Sequence, residues 1–387
     1  MLSNTQSHGK EPFVRMVKRD GVPAKKAWGI RLIGLLLALV VCAVLIFAIT
    51  KLNPLKVYTT MFQGAFGTTR RSWQTVREAM MLLCVSLGLA PAFMMRFWNI
   101  GAEGQILVGG VATAGCMIYL GDKLPSVLLF AVMLIASIAA GALWGFVPAF
   151  FKAKFGTNET LFTLMMNYIA IQLTSYFVAV WEKPYGSNSV GIINDVTNAG
   201  WFKPLFGQQY GWNVVIVLVL TFAMYFYLRY SKQGYEIKVV GESENTARYA
   251  GINVKNVIIR TMIISGAVCG LSGFLAVAGS SHTISVSTAG GRGFTAIIVA
   301  WLSKFNSFVM ILFSFLLAFL EKGAAEIASK FNLNDYVSDM IEGIILFFVL
   351  GSEFFINYKL IFRKKTAPEA TAETAPEKAN EKEAENA

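Results

Sequence analysis

AMMLLCVSLGLAPAFMMRFWNIGAEGQILVGGVATAGCMIYL, residues 79–120, places two apolar runs end to end with almost no spacer. Crossing the hydrocarbon core of a bilayer as a helix takes about 20 apolar residues. Ala79–Trp98 and Gly104–Leu120 come close to that length, and Asn99-Ile-Gly-Ala-Glu-Gly-Gln105 joins them. Gly101 and Gly104 weaken helical geometry there. Asn99, Glu103 and Gln105 place polar groups at or near membrane depth, where an ionised side chain costs on the order of 3 kcal/mol. Two readings follow. In one, a broken helix lines a wet path, as in many transporters. In the other, a tight interfacial turn leaves Glu103 in water.

Further runs of the same kind are Trp28–Thr50, Ser126–Phe151, Thr160–Trp181, Trp212–Leu228, Val257–Gly279, Gly293–Leu302, Phe308–Leu320 and Val337–Ile356. Gly293–Leu302 is too short to cross alone and reads as a half-helix or part of a broken element. Phe (30) outnumbers Asp plus Glu (23), and charged residues are 15% of the 387, against about 25% in soluble domains. This excludes a disordered chain and a disulfide scaffold and argues against a cytosolic enzyme. The fold class is therefore an all-α polytopic membrane protein with about ten transmembrane helices, some broken or short; eight crossings result if short segments pair as re-entrant elements.

The net charge of +11 does not indicate nucleic acid, because Lys and Arg sit at the ends of apolar runs. Their bias sets the orientation. The basic segment 1–27 and Lys359, Arg363, Lys364 and Lys365 place both termini in the cytoplasm. The transmembrane core spans 28–357, and an Ala/Glu/Pro-rich tail, 358–387, is expected to be disordered. Residues 51–78, with Lys51, Lys56, Arg70, Arg71 and Arg77, fall outside in this topology and conflict with it. Loop 182–211, rich in Gly, Asn, Pro and Trp, reads as an ordered outer cap. Cys42, Cys84, Cys116 and Cys269 lie singly within apolar runs and suit packing, and no metal site is expected.

Ser287-Thr-Ala-Gly-Gly-Arg-Gly-Phe294 repeats the character of the first break. Gly290, Gly291 and Gly293 cluster around Arg292 directly before an apolar run. The two breaks stand at comparable points of blocks 79–180 and 257–356, and an inverted repeat with the pathway between its halves is hypothesised. Asn167 sits mid-span and either lines a path or bonds a neighbouring helix. Glu321, Glu326, Asp339 and Glu342 flank the last spans as solvated interfacial charges. Loop 231–257 is the longest internal one; Ser243 is expected to cap a short helix through Ala250, and Gly251 to stop it. It reads as a lever for a cytoplasmic partner or as a topology-fixing loop. Neither a phosphate-cradling G-x-x-x-x-G-K-[ST] nor H-E-x-x-H nor G-x-S-x-G occurs, so no catalytic residue is assigned.

Asn99-Ile-Gly-Ala-Glu-Gly-Gln105, Asn167-Tyr-Ile-Ala170, Ala247-Arg-Tyr-Ala-Gly-Ile252 and Gly291-Arg-Gly-Phe-Thr-Ala-Ile-Ile-Val-Ala-Trp-Leu302 resemble the permease subunits of bacterial ABC importers, in the simple-sugar and nucleoside branch of the ribose/branched-chain amino acid permease family. The resemblance implies a plasma-membrane protein without a cofactor of its own. It implies a second permease subunit, a cytoplasmic ABC ATPase carrying ATP and Mg, and an extracellular binding protein, a lipoprotein in a Gram-positive cell. Glu244, Ala247, Arg248 and Gly251 match the coupling region for that ATPase. Asn99, Glu103, Gln105, Asn167 and Arg292 would serve the pathway or its gating. Nucleosides are the expected substrate. Simple sugars are the alternative, followed by an ion-coupled secondary transporter.

Overall fold

The computed structural model describes residues 14–19, 23–51, 53–205, 207–333 and 335–362. Contacts divide the chain into two units, Met1–Ala38 with Phe347–Ala387, and Leu39–Leu346. In the first, β1 (Val14–Lys18) pairs antiparallel with β2 (Tyr358–Phe362), Val14 opposite Phe362 and Lys18 opposite Tyr358. Residues 358–362 are thus strand, against the expectation of a tail disordered from 358. Alternation of Tyr358, Leu360 and Phe362 with other residues carries that signal, but the low-complexity composition downstream masks it. Residues 363–387 lie outside the described residues. The Arg31 guanidinium donates to Glu353 at 2.7 Å in the same unit.

The helices are α1 (Ala24–Thr50), α2 (Pro54–Phe66), α3 (Thr69–Met94), α4 (Ala102–Leu120), α5 (Ser126–Phe155), α6 (Glu159–Trp181) and α7 (Gly211–Tyr230). They continue with α8 (Lys232–Glu242), α9 (Glu244–Tyr249), α10 (Val254–Ala276), α11 (Arg292–Leu302), α12 (Ser307–Lys330) and α13 (Asp335–Asn357). Among the described residues eight helices are long and apolar enough to cross a membrane, and Arg292–Leu302 and Gly343–Asn357 are shorter apolar helices. The chain is an all-α polytopic membrane protein.

Within Leu39–Leu346, α3 and α10 are central: 89% and 83% of their most apolar windows are buried, against 22–33% for α5, α6 and α7. The peripheral helices keep one apolar face for lipid. Small residues let the central backbones meet. A methyl group on Gly109 of α4 would lie 2.5 Å from the Gly270 carbonyl oxygen, and one on Gly145 of α5 2.6 Å from that of Met262, both on α10. Without a hydrophobic drive between helices in lipid, such close packing supplies the association energy.

Residues 51–78 form α2 and the start of α3, capped by Asn53 (from Leu55 N, 2.9 Å) and Thr68 (from Arg71 N, 3.2 Å). Two of the arginines are paired: Arg71 meets Glu326 of α12 at 2.9 Å and Arg77 meets Glu78 at 3.2 Å. Glu326 is therefore an ion-pair partner and not simply a solvated charge. Loop 182–211 is ordered as expected over its described residues. Asn194 Nδ2 donates to the Met117 carbonyl at 2.8 Å, and Ile193 N to that of His282 at 2.8 Å. The Trp201 indole stacks on the His282 ring at 4.0 Å. Loop 231–257 holds the expected helix α9, with Ser243 Oγ accepting from Thr246 N at 3.2 Å and Gly251 at φ 76° after it. It also holds α8, capped by Ser231 (from Gly234 N, 2.9 Å).

The loop docking predicts a pH effect. Burial pushes the His282 imidazole below its ordinary pKa, a hydrogen bond to the Val277 carbonyl only partly offsetting it, and its Nδ1 has no partner. The unfolded chain therefore takes up this proton first as pH falls through about 6.5, and the folded chain loses stability below that point. Thermal melts at about pH 7.5 and about pH 5.5 should show a larger acid-induced drop for the wild type than for His282→Asn, which tolerates the same left-handed backbone.

A candidate site where two broken helices meet

The first break follows α3. Arg96 turns the chain at φ 60°, and Asn99, Ile100 and Gly101 carry it back into the protein as the lead-in to α4. Side chains hold this lead-in in place. Asn99 Oδ1 accepts from Gly101 N at 3.1 Å, its Nδ2 donates to Ser265 Oγ of α10 at 3.1 Å, and its amide faces that of Gln105 at 3.4 Å. From α6, Asn167 Oδ1 accepts from Gly104 N and its Nδ2 donates to the Ile100 carbonyl, both at 2.8 Å. Thr163 Oγ1 accepts from Ile100 N at 3.2 Å. Asn99, Gln105 and Asn167 are buried. Asn167 thus bonds a neighbouring helix, the second of the two roles open to it in the sequence.

The second break follows α10, which ends in a wide π turn, Val277–Ser281, and a left-handed His282. The chain then runs to Gly290 and Gly291, at φ 61° and 74°, conformations that favour glycine, and enters α11. The first N–H groups of a helix lack partners within it. Glu103 supplies them: Oε1 accepts from Gly291 N at 2.7 Å and Oε2 from Gly293 N at 2.8 Å. A carboxylate at a helix N-terminus also meets the positive end of the helix dipole. Glu103 is 9% exposed, which rules out the interfacial turn with Glu103 in water.

Gly104 and Gly293 do not break helices. They lie in the first turns of α4 and α11, and what they provide is proximity. A methyl on Gly293 would sit 2.6 Å from Glu103 N, and one on Gly104 3.0 Å from Asn167 Oδ1.

Arg292 points away from Glu103 to Glu78 of α3. Its Nε donates to Glu78 Oε1 at 2.6 Å, and its NH1 to the carbonyls of Thr288 and Ala289 at 3.1 and 3.2 Å. Glu78 is 2% exposed and also faces Arg77 at 3.2 Å and Lys322 of α12 at 3.7 Å. Sequence reasoning missed Glu78, Ser265 and Thr163. For Glu78 a signal was present: an acid at the last position before an apolar run, beside Arg77 in a basic stretch. At the far end of α11, Trp301 stacks on Trp98 at 5.8 Å between ring centres. Glu244, Ala247, Arg248 and Gly251 lie apart from this cluster, in and after α9, where Ala247 is buried and Glu244 and Arg248 pair at 3.4 Å. The arrangement ties α3, α4, α6, α10, α11 and α12 together through side chains that bond backbone groups or one another.

A family model described as the permease component of the branched-chain amino acid transport system matches residues 73–350, a range that contains both breaks. The chain belongs to this permease family. Among curated relatives, the guanosine ABC transporter permease protein NupP of Bacillus subtilis is 31% identical over 329 residues, 83% of this chain and 92% of its own length. The glucose ABC transporter permease protein TsgB13 of Haloferax volcanii is 28% identical over 353 residues, 88% of this permease and 92% of the relative. The nucleoside ABC transporter permease protein NupB of Lactococcus lactis is 27% identical over 307 residues, 77% and 84% of the two chains.

The clamp predicts graded losses in the permease. Glu103→Ala removes two charge-assisted hydrogen bonds and leaves buried donors unpaired, a cost of about 2–4 kcal/mol. Glu103→Gln, which retains one acceptor, should cost about half as much, and Asn167→Ala about 1–3 kcal/mol. Melting temperatures of the purified variants in detergent should rank wild type above Glu103→Gln above Glu103→Ala.

Proposed function

We propose that this permease is the membrane-spanning subunit of an ATP-driven ABC importer that moves nucleosides handed over by an extracellular binding protein. The observation that carries the substrate is the likeness over most of both chains to permeases named for guanosine and for nucleosides. The glucose permease, matched over a comparable span, supports simple sugars as the second reading. Both classes are neutral molecules with a hydroxylated ring.

With both termini cytoplasmic, α8 and α9 lie inside and loop 182–211 outside. The chain has no phosphate-binding loop, so ATP and Mg belong to a cytoplasmic ATPase, and a second permease subunit completes the membrane part. The α9 segment, with Glu244, Ala247, Arg248 and Gly251, is the contact for that ATPase. Tyr249 at its tip is 93% exposed. A mechanical route leads from it to the site. Gly241 of α8 packs directly on the Met94 carbonyl at the first break, and Arg260 of α10 pairs with Glu236 of α8 at 2.7 Å. Displacement of α8 would therefore move both broken helices, with Asn99, Glu103, Gln105, Asn167 and Arg292 holding them together as a gating joint.

Deleting the gene should abolish uptake of labelled nucleosides. Unchanged nucleoside uptake with lost glucose uptake would move the assignment to sugars. The double variant Arg248→Ala/Tyr249→Ala should lower uptake and ATP turnover about tenfold or more, the loss of an interface anchor, with an unchanged melting temperature.

A further inference from the structure

Beside the joint lies a pocket of about 230 Å³ that neither the clamp nor the coupling segment uses. Ser280, Ser281, Thr283, Ser285, Ser287 and Thr288 bring six hydroxyls to its wall between the end of α10 and the start of α11. Arg77 and Arg292 complete the polar lining, over a floor of Met81 and Ala276. The guanidiniums are engaged: Arg292 by Glu78 and two carbonyls, Arg77 by Glu78 and the Tyr210 ring at 5.2 Å. The carboxylate among these groups, Glu78, is 2% exposed and does not line the pocket. Ser280, Ser281, Ser285, Ser287 and Thr288 are already bonded to Asn213, to backbone or to one another; each hydroxyl keeps capacity for a further hydrogen bond, and the two guanidiniums stand at the rim.

We infer that this pocket is a substrate station on the extracellular side of the joint, and that it recognises the vicinal hydroxyls of a sugar ring. Each serine or threonine hydroxyl both donates and accepts, which matches a diol, and the guanidiniums of Arg77 and Arg292 disfavour a cation. Ser285 and Ser287 Oγ are hydrogen-bonded to each other at 3.0 Å, and the remaining lone pairs of this coupled pair can meet two adjacent ligand hydroxyls. The volume falls below the roughly 300 Å³ at which ordinary ligand pockets begin, so it takes the sugar and leaves a base outside. The same station would serve a nucleoside or a free hexose. It rests on the importer reading given above and narrows what that importer inspects. Its position is apt, because the floor is reached from Arg292 at the N-terminus of α11, the helix that Glu103 holds.

The test compares maximal initial uptake rates in cells whose chromosomal gene carries Ser285→Ala/Ser287→Ala, with adenosine and 2′,3′-dideoxyadenosine as labelled probes. Preference of the binding protein is common to wild type and variant, so only a change in the ratio reports the permease. Losing two hydrogen bonds should cut the adenosine rate about tenfold, while the dideoxy rate falls by less than about twofold. Equal falls for both probes, or no fall, would overturn the station. Ser287→Trp, which fills the pocket, should stop uptake of both at normal membrane abundance, and full transport by it would also overturn the idea. If wild-type cells carry no nucleoside, the substrate reading fails on its own, and labelled glucose replaces adenosine, with a fall of about tenfold expected in the variant and an unchanged rate overturning the station.

Discussion

A backbone amide at membrane depth must find its partner inside the protein. This protein breaks two helices there, and the opened amides of one are bonded by the other. Glu103, one residue into α4, bonds Gly291 and Gly293 at the start of α11, so the first interruption caps the second, while Asn167 of α6 caps the first. Glycine at 293, with no side chain, lets the two helix ends approach closely enough for the carboxylate to reach. The rest of the central bundle is arranged around that contact: Asn167 holds the lead-in to α4, Ser265 anchors Asn99, and Arg292 is turned outward onto Glu78.

Charges follow the same logic. Glu78 collects Arg77, Arg292 and Lys322, three cations that would each be costly unpaired near lipid. Arg71 and Glu326 do the same at the rim. Two of the five basic residues of 51–78, Arg71 and Arg77, are committed to acids of α12 and α3.

Much of this was legible from residues alone. Glycines beside a lone charge, with no spacer between apolar runs, located both breaks, since few other patterns tolerate polar backbone at that depth. Ser243 and Gly251 located α9 because capping is local chemistry. Partners across the bundle were not legible. That Glu103 reaches α11 while Arg292 reaches α3 depends on which helices are neighbours, and no spacing within the chain encodes it. Helix α8 was passed over because its composition is polar on one side and its cap, Ser231, follows directly on α7. The order long helix, break and three helices recurs from α3 to α6 and from α10 to α13.

Hydrogen–deuterium exchange of the intact transporter, followed on the peptide covering 286–296, tests the Glu103 cap most directly. Replacing Glu103 with Ala should accelerate exchange at the Gly291 and Gly293 amides while amides in the middle of α5 stay as slow as in the wild type. Unaltered protection of those two glycine amides would contradict the account.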